Sequence, residues 1–196
     1  MKNLKGKVAI VTGSSSGVGA ATALQLAGLG CHVVVNYHSN SVGAERVVEQ
    51  CQALGVQALA VGGDVAKDDV CKALAQAAID NWGRIDVLVN NAGTTKFVDH
   101  RDLDGLDAED FQRIYGVNVI GCYQMTRAVT AAMEANEEGG AVVNVASTAA
   151  VTGIGSSIAY AASKGAMVTM TLSLARALGP KLRINAVCPG FIEGEW

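Results

Sequence analysis

The sequence predicts an α/β fold: a three-layer, doubly wound parallel sheet with helices on both faces. Three observations predict it. Short runs rich in β-branched residues alternate with longer stretches of helical period along the 196 residues. The strand-like runs are almost continuously apolar, as expected for strands buried on both faces. A glycine-rich turn joins the first of these runs to the first helical stretch.

The elements follow in order. Val8–Val11 is a compact apolar strand. Gly13-Ser14-Ser15-Ser16-Gly17-Val18-Gly19 is the turn, and Ala21, Leu24, Leu26, Ala27 and Leu29 give helical period to 18–29. His32–Val35, Ala58–Val61, Val87–Val89, Val142–Val145 and Ile184–Val187 read as the remaining strands. Helical patterns occupy 41–54, 67–81, 108–134 and 157–178. Asp107 to Asp110 reads as a solvated helix end. No low-complexity tract, repeat or internal boundary interrupts the alternation, so residues 1–196 are expected to form a single domain.

Composition narrows the function. The formal charge is −3 and the basic residues are scattered, without the basic stripe that nucleic-acid binding needs. The five cysteines, at 31, 51, 71, 122 and 188, form no CxxC pair. None has metal-ligand spacing with His32, His38 or His100, so no metal site is expected. Reduced thiols suit a cytoplasmic setting. Met1 to Lys7 is short and charged, unlike a signal peptide, and no apolar run approaches the ~18 residues of a membrane span. Neither a nucleic acid nor a membrane is an expected partner.

Two constellations carry chemistry. Glycines let backbone approach a pyrophosphate, and a helix N-terminus offers unpaired amides. The spacing here is GxxxGxG. At the other end of the chain, Tyr160 and Lys164 stand four residues apart on one helical face. A neighbouring ammonium favours the phenolate and can lower a tyrosine pKa from about 10 by roughly 1–3 units. A hydroxyl tuned toward neutral pH is a proton donor to a carbonyl or an acceptor from an alcohol. Ser147, thirteen residues upstream of Tyr160, could hold the same oxygen, and the adjacent Thr148 could exchange roles with it. Ligands of such sheets bind beyond the carboxyl ends of the strands. That places Gly13, Asp64, Asn90 to Gly93, Ser147 and Pro189-Gly190 around one crevice.

In this order and spacing, Thr12 to Gly19, Asp64-Val65, Asn90-Asn91-Ala92-Gly93, Asn118, Ser147, Tyr160-Ala161-Ala162-Ser163-Lys164 and Pro189-Gly190 resemble the short-chain dehydrogenase/reductase family, in its 3-oxoacyl-acyl-carrier-protein-reductase-like branch. The resemblance covers nearly the whole chain. It implies a Rossmann fold and hydride transfer between a nicotinamide dinucleotide and a carbonyl or secondary alcohol, with an acyl thioester among the candidate substrates. It implies Asn118, Ser147, Tyr160 and Lys164 as the catalytic set. Tyr160 would move the proton, Ser147 would hold the reacting oxygen, Lys164 would tune Tyr160 and hold the nicotinamide ribose, and Asn118 would hold a relay water. A satisfied core asparagine is the alternative at 118. The cofactor would lie against Gly13, Ser15, Ser16, Gly17, Val18 and Gly19, then Tyr37, His38 and Ser39, then Asp64 and Val65. It would continue past Asn91, Ala92 and Gly93 to Tyr160, Lys164, Pro189, Gly190 and Ile192. Asp64 could instead cap the helix that begins near Lys67.

The cofactor reading turns on a missing carboxylate. An acidic residue about 20 positions past the glycines binds the ribose 2′-hydroxyl of NAD. No Asp or Glu occurs between Cys31 and Ala44, and Tyr37 stands where one is expected. His38, Ser39, Asn40 and the hydroxyls of Ser14 to Ser16 could donate to a 2′-phosphate. NADP(H) is therefore favoured, with NAD(H) left open. Members of the family usually continue past Pro-Gly-x-Ile into a substrate-covering segment, a further helix and a seventh strand. Here Glu193 and Gly194 follow, where many relatives have a threonine. The resemblance thus implies an absent C-terminal strand, an open sixth-strand edge and a homo-oligomer, dimer or tetramer, that depends on that part. A protein that binds the nucleotide but turns over weakly, or regulates, is the alternative function.

Overall fold

Six strands hydrogen-bond side by side, all parallel, in the order β3-β2-β1-β4-β5-β6. The computed structural model describes residues 4–193. In chain order the elements are β1 (Val8–Val11), α1 (Gly17–Gly28), β2 (His32–Tyr37), α2 (Ser41–Ala53), β3 (Ala58–Gly62), α3 (Asp68–Trp82), β4 (Val87–Asn90) and α4 (Ala108–Tyr115). A π-helical segment (Gly116–Gly121) leads into α5 (Cys122–Ala135). Then come β5 (Gly140–Val145), α6 (Ala149–Thr152), α7 (Ile158–Leu178) and β6 (Leu182–Val187).

The two-residue period of a strand explains the layers. Val8 and Ile10 point to one face and pack with Leu74, Ala75 and Ala78 of α3, Met125, Val129 and Met133 of α5, and the end of α7. Ala9 and Val11 point to the other and pack with Ala23 and Ala27 of α1 and with Ala44, Val47 and Cys51 of α2. Both faces are covered, which is why the central strands carry apolar side chains at successive positions.

Buried charge appears at the opposite end of the sheet from the glycine turn. Asp86 accepts from the Val8 amide at 2.9 Å and from Arg84 through both carboxylate oxygens at 2.7 and 2.8 Å. Burial alone would raise its pKa, but these bonds hold it below the ordinary carboxylate value. The expectation for Asp107 to Asp110 is met: Asp107 caps α4, and Asp110 completes a reciprocal capping box.

Two expectations need correction. The pattern over 108–134 is not one helix, because the π-helical turn widens the backbone at Gly116–Gly121. A short helix, α6, lies between Ser147 and Tyr160 where no element was read. Among the described residues β6 pairs with β5 alone; Gly194, named among the departures from the family, lies outside them, as do Met1 to Asn3 at the other end. No helix of the described residues is long and apolar enough to cross a membrane.

Candidate active site

The carboxyl ends of β1, β4 and β5 are laced together before any catalytic group is added. Thr12 Oγ1 accepts from the amides of Asn91 and Ala92, each at 3.0 Å. Asn91 Nδ2 donates back to the carbonyls of Thr12 and Gly13. Asn36, buried at the end of β2, accepts from the Gly13 amide at 3.1 Å and donates to the carbonyls of Val61 and Gly63 at 3.2 Å each. Asn90 Nδ2 donates to Asn144 Oδ1 at 2.9 Å, and Asn144 Nδ2 donates to Thr171 Oγ1 at 2.8 Å. This relay ties β4 and β5 to α7 through the core. Asn36, Asn144 and Thr171 escaped the sequence reading, although a polar residue inside an apolar strand run, as in VVVN and VVNV, is its own signal.

The glycine turn requires glycine. Gly13 has φ +59°, and a Cβ there would stand 2.8 Å from the Ala92 Cα. Gly17 has φ +54°, with no protein atom within 4 Å of its would-be Cβ, so it opens onto empty space. Behind it, α1 has no acidic residue in its first turn, and the N-cap residue Ser16 does not use its hydroxyl as a cap. An open cradle at an uncapped helix N-terminus fits the pyrophosphate of a dinucleotide. Gly19 is buried against Asn91, Val18 is half-buried, and Ser15 and Ser16 reach the surface. Ser14 does not. It is buried, and its hydroxyl donates to the Val11 carbonyl at 2.7 Å, so it offers no donor to a phosphate. Asn40 caps α2 through its Oδ1, which accepts from Gly43 N.

At the end of β2 the Tyr37 ring lies over Gly62, and His38 and Ser39 are exposed. Asp64 does not cap α3, whose N-cap is Lys67. Its Oδ1 accepts from the Ala66 amide at 3.0 Å and shapes the turn after β3. Val65 is buried against Gly121 and belongs to the core.

The catalytic candidates converge. Ser157 caps α7 by accepting from the Tyr160 amide, which starts the helix that carries both Tyr160 and Lys164. Lys164 is 3% exposed. Its Nζ donates to the Val145 carbonyl at 2.7 Å and lies 5.6 Å from the centre of the Tyr160 ring. A Cβ on Gly93 would sit 3.5 Å from Asn118 Oδ1 and 3.7 Å from Lys164 Nζ, so this glycine lies directly against both groups. Asn118, fully buried in the π-helical turn, accepts from Thr94 N at 2.8 Å and donates to Thr94 O and Ser163 Oγ at 3.1 and 2.9 Å. Both its amide hydrogens are donated, which meets the alternative of a satisfied core asparagine. Ser163 was quoted only as part of a motif, yet its hydroxyl also donates to the Tyr160 carbonyl at 2.7 Å. Ser147 Oγ accepts from the Ala149 amide and is hydrogen-bonded with the Tyr160 phenol. Thr148 is exposed, its amide tied to Pro189 O at 2.9 Å. Gly190 and Ile192 are exposed beyond β6.

The expected tuning of Tyr160 is corrected. Burial raises its pKa above 10.0, with the Ser147 hydrogen bond pulling the other way. The ammonium, 5.6 Å from the centre of the ring, is itself shifted: burial lowers Lys164 to about 8.

The sequence matches the family described as short chain dehydrogenase over residues 7–196. The chain belongs to that family. It is an NAD(P)-dependent short-chain dehydrogenase/reductase acting on CH–OH groups. It is 40% identical to a 3-oxoacyl-[acyl-carrier-protein] reductase of Synechocystis across 100% of this chain and 78% of that one. A crystal structure from Burkholderia xenovorans superposes with TM-score 0.93 at 45% identity, covering 95% of this chain and 78% of the other. A structure of NAD+-bound xylitol dehydrogenase superposes with TM-score 0.90 at 33% identity, covering 99% and 74%. These short-chain dehydrogenase relatives act on different substrates, so family membership leaves the substrate to the site.

Proposed function

We propose that this short-chain dehydrogenase is an NADP(H)-dependent carbonyl reductase, also able to run as a secondary-alcohol dehydrogenase. The observation that carries the reading is the buried Lys164 one turn after Tyr160 on α7, its Nζ 5.6 Å from the centre of the Tyr160 ring, with Ser147 acting on the same phenol. In that place Tyr160 gives its proton to a carbonyl oxygen in reduction and takes it from the alcohol in oxidation. Ser147 hydrogen-bonds the same oxygen and polarises it. Lys164, buried beside Gly93, would hold the ribose hydroxyls. Asn118 positions the Thr94 backbone and, through Ser163, the first turn of α7. When bound, the nicotinamide supplies or accepts the hydride at the substrate carbon.

Gly13, Ser15, Ser16, Gly17, Val18 and Gly19 would hold the pyrophosphate, and Asp64 with Val65 would border the adenine. Asn91, Ala92, Gly93, Pro189, Gly190 and Ile192 would border the nicotinamide half. The preference for NADP(H) rests on the end of β2, where Tyr37 is followed by His38 and Ser39 with no carboxylate to repel a 2′-phosphate. The test is titration with NADPH and NADH, following reduced-nicotinamide fluorescence. Tighter NADPH binding is expected. Tighter NADH binding would overturn the cofactor preference, and binding of neither would overturn the nucleotide site.

A further inference from the structure

Beside Ser147 lies a cleft of about 730 Å³ whose walls have a definite chemistry. Phe97, Val98, Ile154 and Phe191 line it. Phe97, Ile154 and Phe191 are 71%, 78% and 98% exposed. The two segments that carry most of this lining are tied to each other: Val98 N donates to Ser156 O at 2.9 Å, the hydroxyls of Thr95 and Ser156 meet at 2.6 Å, and His100 Nε2 reaches Gly155 O at 3.1 Å. The apolar side chains therefore share one cleft with Ser147.

The charge around it has an acidic excess. Among the lining residues there is a carboxylate, Asp99, and no cation. Residues 94–110 carry six acidic side chains, Asp99, Asp102, Asp104, Asp107, Glu109 and Asp110, against Lys96 and Arg101. Lys96 and Arg113, the latter reaching in from α4, are both paired with Asp110. Glu193, two residues after Phe191, is exposed. A substrate carried on a phosphorylated thioester or on an acidic carrier protein would approach a like-charged rim, which slows association and weakens binding.

Resting on the reductase reading above, we infer that the substrate is a small neutral ketone with an apolar chain or ring, or the corresponding secondary alcohol, taken from solution and not from an anionic carrier. The apolar body lies against Phe97, Ile154 and Phe191, and the carbonyl points to Ser147 and Tyr160. Apolar area removed from water supplies the binding. The acidic rim acts against anionic competitors, so selectivity comes from a repulsive element as well as an attractive one.

The test compares initial rates of NADPH oxidation by the protein with three probes: ethyl benzoylacetate, acetoacetyl-CoA and D-xylulose. Each is measured at about 20 mM and about 200 mM salt, which brackets the change in screening length. The aryl ketoester should show kcat/KM at least roughly tenfold above both others. Added salt should raise kcat/KM for the CoA thioester and leave the ketoester unchanged. Phe97→Ala should lower kcat/KM for the ketoester roughly tenfold while leaving the NADPH Kd in place. Preference for acetoacetyl-CoA, a fall of its rate with salt, or preference for D-xylulose would each overturn the inference while leaving the reductase intact. Turnover of none of the three, under conditions where NADPH binds, would overturn both.

Discussion

Lys164 holds its ammonium against the Val145 carbonyl in a pocket that solvent barely reaches. Burial lowers its pKa from 10.5 to about 8. In that window the unfolded chain keeps a proton that the folded chain has released. The contribution of this group to stability therefore rises with pH from about 8 to 10.5 and is unfavourable below. Lys164→Met removes this dependence. The urea midpoint of the methionine variant relative to wild type should therefore fall as pH rises through the window, and a constant difference would show that the ammonium is not desolvated. Tyr160 illustrates the same physics with opposite sign. Its phenol is an acid, so burial raises the pKa. The spacing of Tyr160 and Lys164 was legible in the sequence, but the shift was not, because a four-residue interval says nothing about which atom of the ring the ammonium approaches.

At the scale of elements, the π-helical turn at Gly116–Gly121 places Asn118. An extra residue in the turn lets the amide reach the Thr94 backbone on one side and Ser163 on the other. Asn118→Ala would leave these partners unsatisfied in the interior. A loss of about 1–3 kcal/mol of stability is expected by chemical denaturation, and a change near zero would mean that water replaces the amide. Nothing in the sequence over 108–134 announces the widened turn, because its apolar residues keep helical period on both sides. Strands were legible where β-branched residues cluster, as in Val8–Val11. Their ends were less so: β5 begins at Gly140 and β6 at Leu182, earlier than read. Gly140 pairs with Leu182 and Ala141 with Arg183, so the parallel ladder extends through residues of weak strand propensity. The glycine turn was legible because Gly13 and Gly17 need left-handed backbone. Ser14 was misjudged because its neighbours in sequence are exposed while it points into the interior.

Across the whole molecule, the buried thiols set an alkaline limit. Desolvation raises Cys31 and Cys51 to about 11 and Cys71 and Cys122 to about 12. Above pH 9.0, the ordinary thiol value, the unfolded chain loses protons that the folded chain retains. Stability should therefore fall as pH rises from there, with four thiols outweighing the single lysine. Cys51→Ala should make the fall of Tm with pH shallower, and an unchanged slope would place the alkaline limit elsewhere. The same whole-molecule view explains why the site was readable from the sequence. In a parallel sheet every strand delivers its carboxyl end to one side, so motifs far apart in the chain, from Gly13 to Lys164, meet at one crevice. The partners that hold them, Asn36, Asn144 and Ser163, are set by three-dimensional packing and had to be seen.

The central claim is that Tyr160 supplies the proton in a reaction with a nucleotide-borne hydride. The most direct measurement is the rate of NADPH oxidation with a neutral ketone for wild type and Tyr160→Phe, beside NADPH affinity for both. The account predicts that the phenylalanine variant loses activity by roughly 10²–10⁴-fold while its NADPH Kd stays within about threefold, a difference of under 1 kcal/mol. Wild-type rates in the variant would contradict it.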